Sequence, residues 1–321
     1  MAEKDVRSQL TLIELAKRAD NNDLMTIAEV LTEVNQFYDD ALWQPSNQLL
    51  SHIITRRNSL PSGEHRKFNA GVSPAASSTT QVVEPIAMLE SYSEPDKALA
   101  DMSPDKDQFL MNEDTAHIEG MSQTMMDTLM YGNRGTAPEE IDGLAQRLST
   151  IAQNNVVSCG GSGSDLTSVF LVQWGINKVH MIYPRNSPTM GVERIFLGED
   201  TATDSNSKKY QIYRTHLKVY YGLAVHDERC IRRLCNIETA GSSNLFDDDL
   251  LIEQLNLMPY GRSGLVIYCN ATVKSQMDKI AKDKSNVYYK PDEIFGRPVT
   301  TFQGVPVRQV DAILNTESAI T

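Results

Sequence analysis

The sequence has little that would support a thiol-based site, a membrane segment or a secretion route. Its four cysteines are Cys159, Cys230, Cys235 and Cys269. They form no CxxC pair and have no nearby histidine at zinc spacing, which argues against a thiolate metal site. A disulfide framework would be out of place in a chain of 321 residues, so buried free thiols in a reducing compartment are expected. No apolar run approaches the roughly 18–20 residues needed to span a bilayer. Met1 to Asp5 is polar and lacks the apolar core of a signal peptide. These absences point to a protein made and kept in a cytosol.

Positive charge is also scarce. Lys and Arg total 30 against 42 Asp and Glu, a formal net charge of −12. A protein that grips nucleic acid needs a basic face. The richest basic stretches, Arg56-Arg57 and His65-Arg66-Lys67, are short and loop-like. Arg229, Arg232 and Arg233 alternate with apolar residues and read as the wet side of a helix. Sequence-specific DNA binding is not expected.

Catalytic constellations are missing too. The glycine-rich stretch Cys159 to Asp165 has no lysine after it and leads into a strand, so it is no P-loop and reads as a flexible surface loop. Ser158, Ser162 and Ser164 lack the GxSxG spacing. A hydrolase using that 158–164 loop with His180, His216 or His226 as base stays open as an alternative. Asp247-Asp248-Asp249 lacks the alternating ligands, glycine and terminal glutamate of an EF-hand and reads as an acidic helix start. His216 and His226, ten apart along a strand pattern, are weak metal candidates. The Met121, Met125, Met126, Met130 stripe has helical spacing and reads as core or subunit contact. No catalytic residue, no cofactor and no metal is expected.

What the chain does contain is a mixed α+β order without repeats or regular βαβ alternation. Residues 8 to 43 read as helical, with a break at Asp20–Asp23. Ile27, Val30, Leu31 and Val34 then form one apolar stripe, and Pro45 closes the segment. Leu50 to Arg56 and Thr79 to Ser91 read as strands flanking a loose tip with Pro61, Gly63 and Gly71. A long hairpin with few large apolar residues cannot hold itself up alone. Ser103-Pro104 opens a helix through Tyr131, ~40 Å long at the standard rise, and Gly132 is placed to end it. Strands are expected at Thr167–Gln173, Lys178–Tyr183, Val192–Leu197, Lys209–Tyr213, His216–Val225, Leu265–Cys269, Val287–Lys290 and Val305–Val310. Helices are expected at Glu228–Ile237, Asp247–Leu257 and, capped by Asn270, up to about Lys282.

Several short runs occur in a recognisable order: Leu129-Met130-Tyr131-Gly132, then Pro138-Glu139 and Ile141-Asp142-Gly143-Leu144. Val179-His180-Met181-Ile182-Tyr183-Pro184 comes next, followed by Leu197-Gly198-Glu199. Tyr213-Arg214-Thr215-His216 with Gly222-Leu223-Ala224-Val225 follows, and Phe302-Gln303-Gly304-Val305-Pro306-Val307 ends the series. This order, covering roughly residues 100 to 315, resembles the major capsid proteins of short-tailed bacteriophages, which have the Hong Kong 97 type fold. The N-terminal third matches in layout.

The resemblance implies an N-terminal helical arm (1–45), an extended β arm or E-loop (46–102), and a spine helix with the start of the P-domain (103–150). An A-domain with parts of the P-domain (151–264) and a terminal strand–helix–strand module (265–321) would follow. It implies a shell subunit of a virion, assembled in the host cytoplasm as pentamers and hexamers. Scaffolding, portal and decoration proteins would be partners, and packaged DNA would lie nearby without being gripped. The same fold also builds cellular nanocompartments, the second alternative. Expected subunit contacts are Ile27, Val30, Leu31 and Val34 on the N-terminal stripe and Arg66, Lys67 and Phe68 in the arm tip at Glu64–Ala76. The Cys159–Asp165 loop is a candidate for lining a symmetry axis. Some members of this group weld subunits through a lysine and an asparagine; Lys67 and Asn69 sit near the tip, but two residues by themselves do not establish such a crosslink.

Overall fold

The computed structural model describes residues 19–20, 23–24, 35–187, 191–283, 289–294 and 297–321. The stripe Ile27, Val30, Leu31 and Val34 lies outside them. The chain divides into two compact units, one of residues 1–33, 88–126 and 191–220, the other of 34–87, 127–190 and 221–321. Among the described residues no helix is long and apolar enough to cross a membrane.

In the first unit the strand Val192–Thr203 pairs antiparallel with the strand that starts at Lys209, from Val192↔Val219 to Thr203↔Lys209. Two segments expected as separate strands, Lys209–Tyr213 and His216–Val225, are one continuous strand of 17 residues. Helix Lys97–Met102 is capped by the Asp96 carboxylate, which accepts from the Ala98 N–H. Leu99 and Ala100 from this helix pack with Phe109, Leu110 and Tyr213. The long helix runs Lys106–Tyr131, so the expected start shifts. Ser103 closes the preceding helix instead, and the Asp105 carboxylate takes the capping role by accepting from the Gln108 N–H at 3.0 Å. Aspartate is as good a cap as serine, and spacing alone does not rank two adjacent candidates. The methionine stripe is buried throughout.

The second unit is built on a seven-stranded sheet. Its order is Tyr289–Ile294, Arg297–Phe302, Val305–Gln309, Leu265–Cys269, Leu166–Gln173, Ile231–Glu238, Val156–Ser158. Every residue of Leu166–Gln173 and Leu265–Cys269 is buried, because both faces of these strands are covered. Val169 and Leu171 face Leu251 and Leu255 of helix Asp248–Asn256 and Val273 and Met277 of helix Ala271–Asp283. Both helices start as the sequence indicates. Asp247 accepts from the Asp249 N–H and Asn270 from the Val273 N–H, each at 2.9 Å.

One expected helix is a strand. Glu228–Cys230 is a single 3₁₀ turn, and Ile231–Glu238 crosses the sheet between Leu166–Gln173 and Val156–Ser158. The error has a local cause. The pairing slips between Leu234 and Ile237, where Asn236 has φ 56. That bulge breaks the two-residue alternation and lets Leu234 and Ile237 join the same cluster, a three-residue spacing that imitates a helix. Arg232 and Arg233, expected on a wet face, are both buried.

A smaller sheet in this unit joins Trp43–Pro45, parallel, and Gly222–Val225, antiparallel, to Val179–Tyr183. Trp43–Pro45 is therefore extended where the sequence pattern reads as helix, which leaves only Phe37–Asp40 helical among the described residues before it. Phe37 explains the local order. Its ring packs 5.0 Å from Trp174 and 4.9 Å from Tyr268, while the Trp174 indole N–H donates to the Tyr268 hydroxyl at 2.8 Å. Asp40 accepts two bonds from the Arg308 guanidinium, at 2.9 and 3.0 Å.

Candidate subunit interface

The hairpin expected from the sequence is present. Ser51–Ser59 and Ser78–Pro85 pair antiparallel, with His52 opposite Glu84 and Ile54 opposite Val82. They form a sheet of two strands, a size that is marginal without further packing. Among the described residues, packing is supplied only at the root. Ile54 is buried against Ile182 and Ala224, with Ile86 beside them. Arg56 donates to the Glu228 carboxylate and to the Val225 carbonyl. At the same end, Glu84 is buried and accepts two bonds from Arg147, at 2.8 and 2.6 Å.

Beyond Arg57 the arm is bare. Residues 57–81 are exposed without interruption. Leu60 is 75% and Phe68 98% accessible. The turn around Phe68 is nevertheless shaped. The Lys67 carbonyl accepts from the Ala70 N–H at 3.2 Å, and Asn69 has φ 64. A short polar side chain tolerates that left-handed backbone best after glycine. Glu64 reaches across the tip to accept from the Ser73 N–H at 3.3 Å. The expected contacts Arg66, Lys67 and Phe68 thus share one preformed, solvent-exposed turn. An almost fully exposed phenylalanine forgoes about 1.5–3 kcal/mol of burial.

The Cys159–Asp165 loop is not the flexible segment its composition suggests. The Cys159 and Gly161 amides donate to the Cys235 and Asn236 carbonyls, both at 2.9 Å. Ser162 N–H donates to Glu238, and Ala319 N–H donates to the Gly163 carbonyl. Gly161 is obligatory here, because a Cβ would lie 2.5 Å from the Asn236 oxygen. Amides turned inward in this way cannot cradle a phosphate. The Ser158 hydroxyl accepts from the Gly160 amide and the Asn236 side chain.

Histidines group differently from their sequence spacing. His216 stacks on Tyr92 at 4.5 Å and lies 3.6 Å from Glu90. His226 instead meets His52 and His180, and one ring nitrogen of each lies within 4.8 Å of the others. Burial pushes the His180 pKa down to about 4 and lowers those of His52 and His226. His52 was missed in the sequence because nothing in residues 52, 180 and 226 signals that strand pairing will join them.

No curated protein matches the chain. The family model described as major capsid protein GP7 matches residues 19–321. Among solved structures, a chain of the near-atomic structure of bacteriophage epsilon15 is similar at 28% identity and a TM-score of 0.77, with 100% of both chains covered. The bacteriophage JBD30 capsid aligns at 11% identity and a TM-score of 0.50, over 88% of this chain and 93% of that one. The holo-SrpI encapsulin complex of Synechococcus elongatus PCC 7942 aligns at 11% identity and a TM-score of 0.46, over 74% and 96%, too remote to bear on function.

Proposed function

The chain belongs to the major capsid protein GP7 family, and from that premise we propose how it is laced into its shell. As a major capsid protein with the tailed-phage fold, it self-associates into the icosahedral shell of a phage virion. The proposal concerns which surfaces do this. The arm of residues 51–85 lies on a neighbouring subunit, with Phe68 as the apolar anchor and Arg66 and Lys67 as polar contacts around it. The carrying observation is the preformed turn that leaves Phe68 98% accessible at the end of an arm fixed only at its root. Identical subunits around fivefold and quasi-sixfold axes supply a matching surface to every arm, and each subunit then buries more than the ~1,600 Å² of a standard pair.

The same reading assigns residues 1–45 as an N-terminal arm using Ile27, Val30, Leu31 and Val34, and 46–102 as the E-loop. Residues 103–150 are the spine and start of the P-domain, 151–264 the A-domain with parts of the P-domain, and 265–321 the closing module. The Cys159–Asp165 loop is one candidate for lining a symmetry axis. Assembly takes place in the host cytoplasm with a separate scaffolding protein and a portal, and the acidic chain tolerates packaged DNA without gripping it. The role is structural, with no catalytic step.

Electron microscopy and sedimentation of the full chain, with and without its scaffold, test this. Closed particles, pentamers or hexamers are expected. Phe68→Ser should leave the melting temperature of the free subunit within about 1 °C, since surface changes cost under ~0.5 kcal/mol, yet raise the concentration needed for particles. Normal assembly of that variant would reject the anchor. A monomer under every assembly condition would reject the reading as a whole.

A further inference from the structure

We propose that His52, His180 and His226 form a binding site for a divalent transition metal, zinc above all, which clamps the root of the arm to the sheet beneath it. The three imidazoles come from three separate places: the first arm strand, the Val179–Tyr183 strand, and the residue following the strand that ends at Val225. Ring centroids lie 5.4 Å apart for His52–His180, 5.6 Å for His52–His226 and 5.0 Å for His180–His226.

Ordinary core histidines satisfy their ring nitrogens, whereas His180 satisfies neither of its own and His226 leaves one unmet. His180 is 1% exposed, and neither of its ring nitrogens has a hydrogen-bond partner among the described residues; Nε2 of His226 has none either. An orphaned buried nitrogen has lost its hydration without gaining a hydrogen bond, and a metal would remove that cost. The Gly175 and Ile176 carbonyls act on His180 without closing a hydrogen bond. They are the kind of outer acceptors that orient a ligating imidazole through its second N–H. His52 Nδ1 accepts from the Asn47 N–H at 3.4 Å. Ligation through either ring nitrogen gives up this long bond, a small loss beside a metal–nitrogen bond.

The donor set selects the metal class. Three neutral imidazoles suit zinc, copper or nickel and offer little to calcium or magnesium. With Zn–N near 2.0–2.1 Å, tetrahedral ligands stand about 3.4 Å apart. The present limit of 4.8 Å therefore requires the two half-buried rings, His52 and His226, to close inward. Three protein ligands leave a fourth position for water. The nearby charges divide: Glu84 acts on His52 and His226 in favour of a cation, and Arg56 opposes it at His226. Both are already paired, with Arg147 and Glu228. The clamp would fix the arm where it leaves the sheet, independently of what its tip contacts.

The test uses untagged full-length protein stripped with EDTA and titrated with ZnCl2 by calorimetry, and with CoCl2 by visible absorption. One equivalent per chain is expected, with the intense bands of tetrahedral cobalt. His52→Gln and His226→Gln, at half-buried positions, should each weaken binding at least roughly tenfold while keeping the wild-type circular dichroism. Zinc should also slow hydrogen exchange of the 51–59 amides. Wild-type affinity no better than that of the double variant would overturn the site, and binding without slowed exchange would overturn the clamp. Either result reads independently of particle formation.

Discussion

Arg233 and Glu317 are ion-paired at 3.0 Å inside the protein, with 4% and 6% of their side chains accessible. The guanidinium also donates to the Ser168 hydroxyl and the Leu148 carbonyl, each at 3.0 Å, and lies over the Phe170 ring. Glu317 accepts from the Tyr131 hydroxyl at 2.6 Å and from Ser168. Its backbone pairs with Leu166 in both directions. Both charges are therefore fully compensated, and the pair ties the end of the chain to the centre of the large sheet.

Removing one partner of such a pair strands the other charge, a loss of about 3–5 kcal/mol. Glu317→Ala is expected to lose that much in urea unfolding of the free subunit. Tyr131→Phe, which removes the bond to Glu317 and the one accepted from the Leu314 N–H but strands no charge, should lose less, about 1.5–3 kcal/mol. Equal losses for the two variants would show that the charge is not the dominant element.

Acid should act through the buried histidine. The folded His180 pKa is about 4, against an ordinary value near 6.5. Between these values the unfolded chain holds a proton that the folded one refuses, so stability is full above pH ~6.5 and falls as pH drops toward 4. The slope is up to about 1.4 kcal/mol per pH unit for one proton, and His52 and His226 add to it in the same direction. With EDTA present, denaturation from pH 7 to 4.5 should show this slope, and His180→Gln should flatten it. An unchanged slope in the variant would refute the assignment.

Two glycines should respond oppositely to alanine. A Cβ on Gly143 would stand 2.8 Å from the backbone of Met130 and Gly132, where the Gly143 N–H donates to the Gly132 carbonyl at 2.9 Å. Gly143→Ala should therefore cost about 1–3 kcal/mol by overpacking. Gly120, inside the long helix, has nothing within 4 Å. Gly120→Ala should gain about 0.5–1 kcal/mol by restricting the unfolded chain. Thermal unfolding of the two variants separates these signs.

The thiols should be inert in the folded protein. Burial pushes Cys159, Cys230 and Cys269 up to about 12 and raises Cys235 as well. At pH 8 almost no thiolate is present to react. Ellman's reagent should label none of the four cysteines within minutes in buffer and all of them in guanidinium. Rapid labelling of the native protein would contradict the burial.

Local patterns were enough where they were unambiguous. The strands Leu166–Gln173 and Leu265–Cys269 follow from the apolar runs Val169–Val172 and Leu265–Cys269 within them, and Asp247 and Asn270 mark their helices because a carboxylate or amide must meet the orphan amides of a first turn. The exposed arm tip also follows from composition, since Glu64 to Ala76 holds too little apolar surface to bury itself. The order of the short motifs identified the family. What sequence could not decide was anything set by partners distant in the chain. The bulge at Asn236 disguised a central strand as a helix, and Arg233 looked solvated because Glu317 is 84 residues away. His52, His180 and His226 become neighbours only through the pairing of strands. Periodicity reports which face a residue shares with its neighbours in sequence, whereas the partner across a sheet is chosen by tertiary packing.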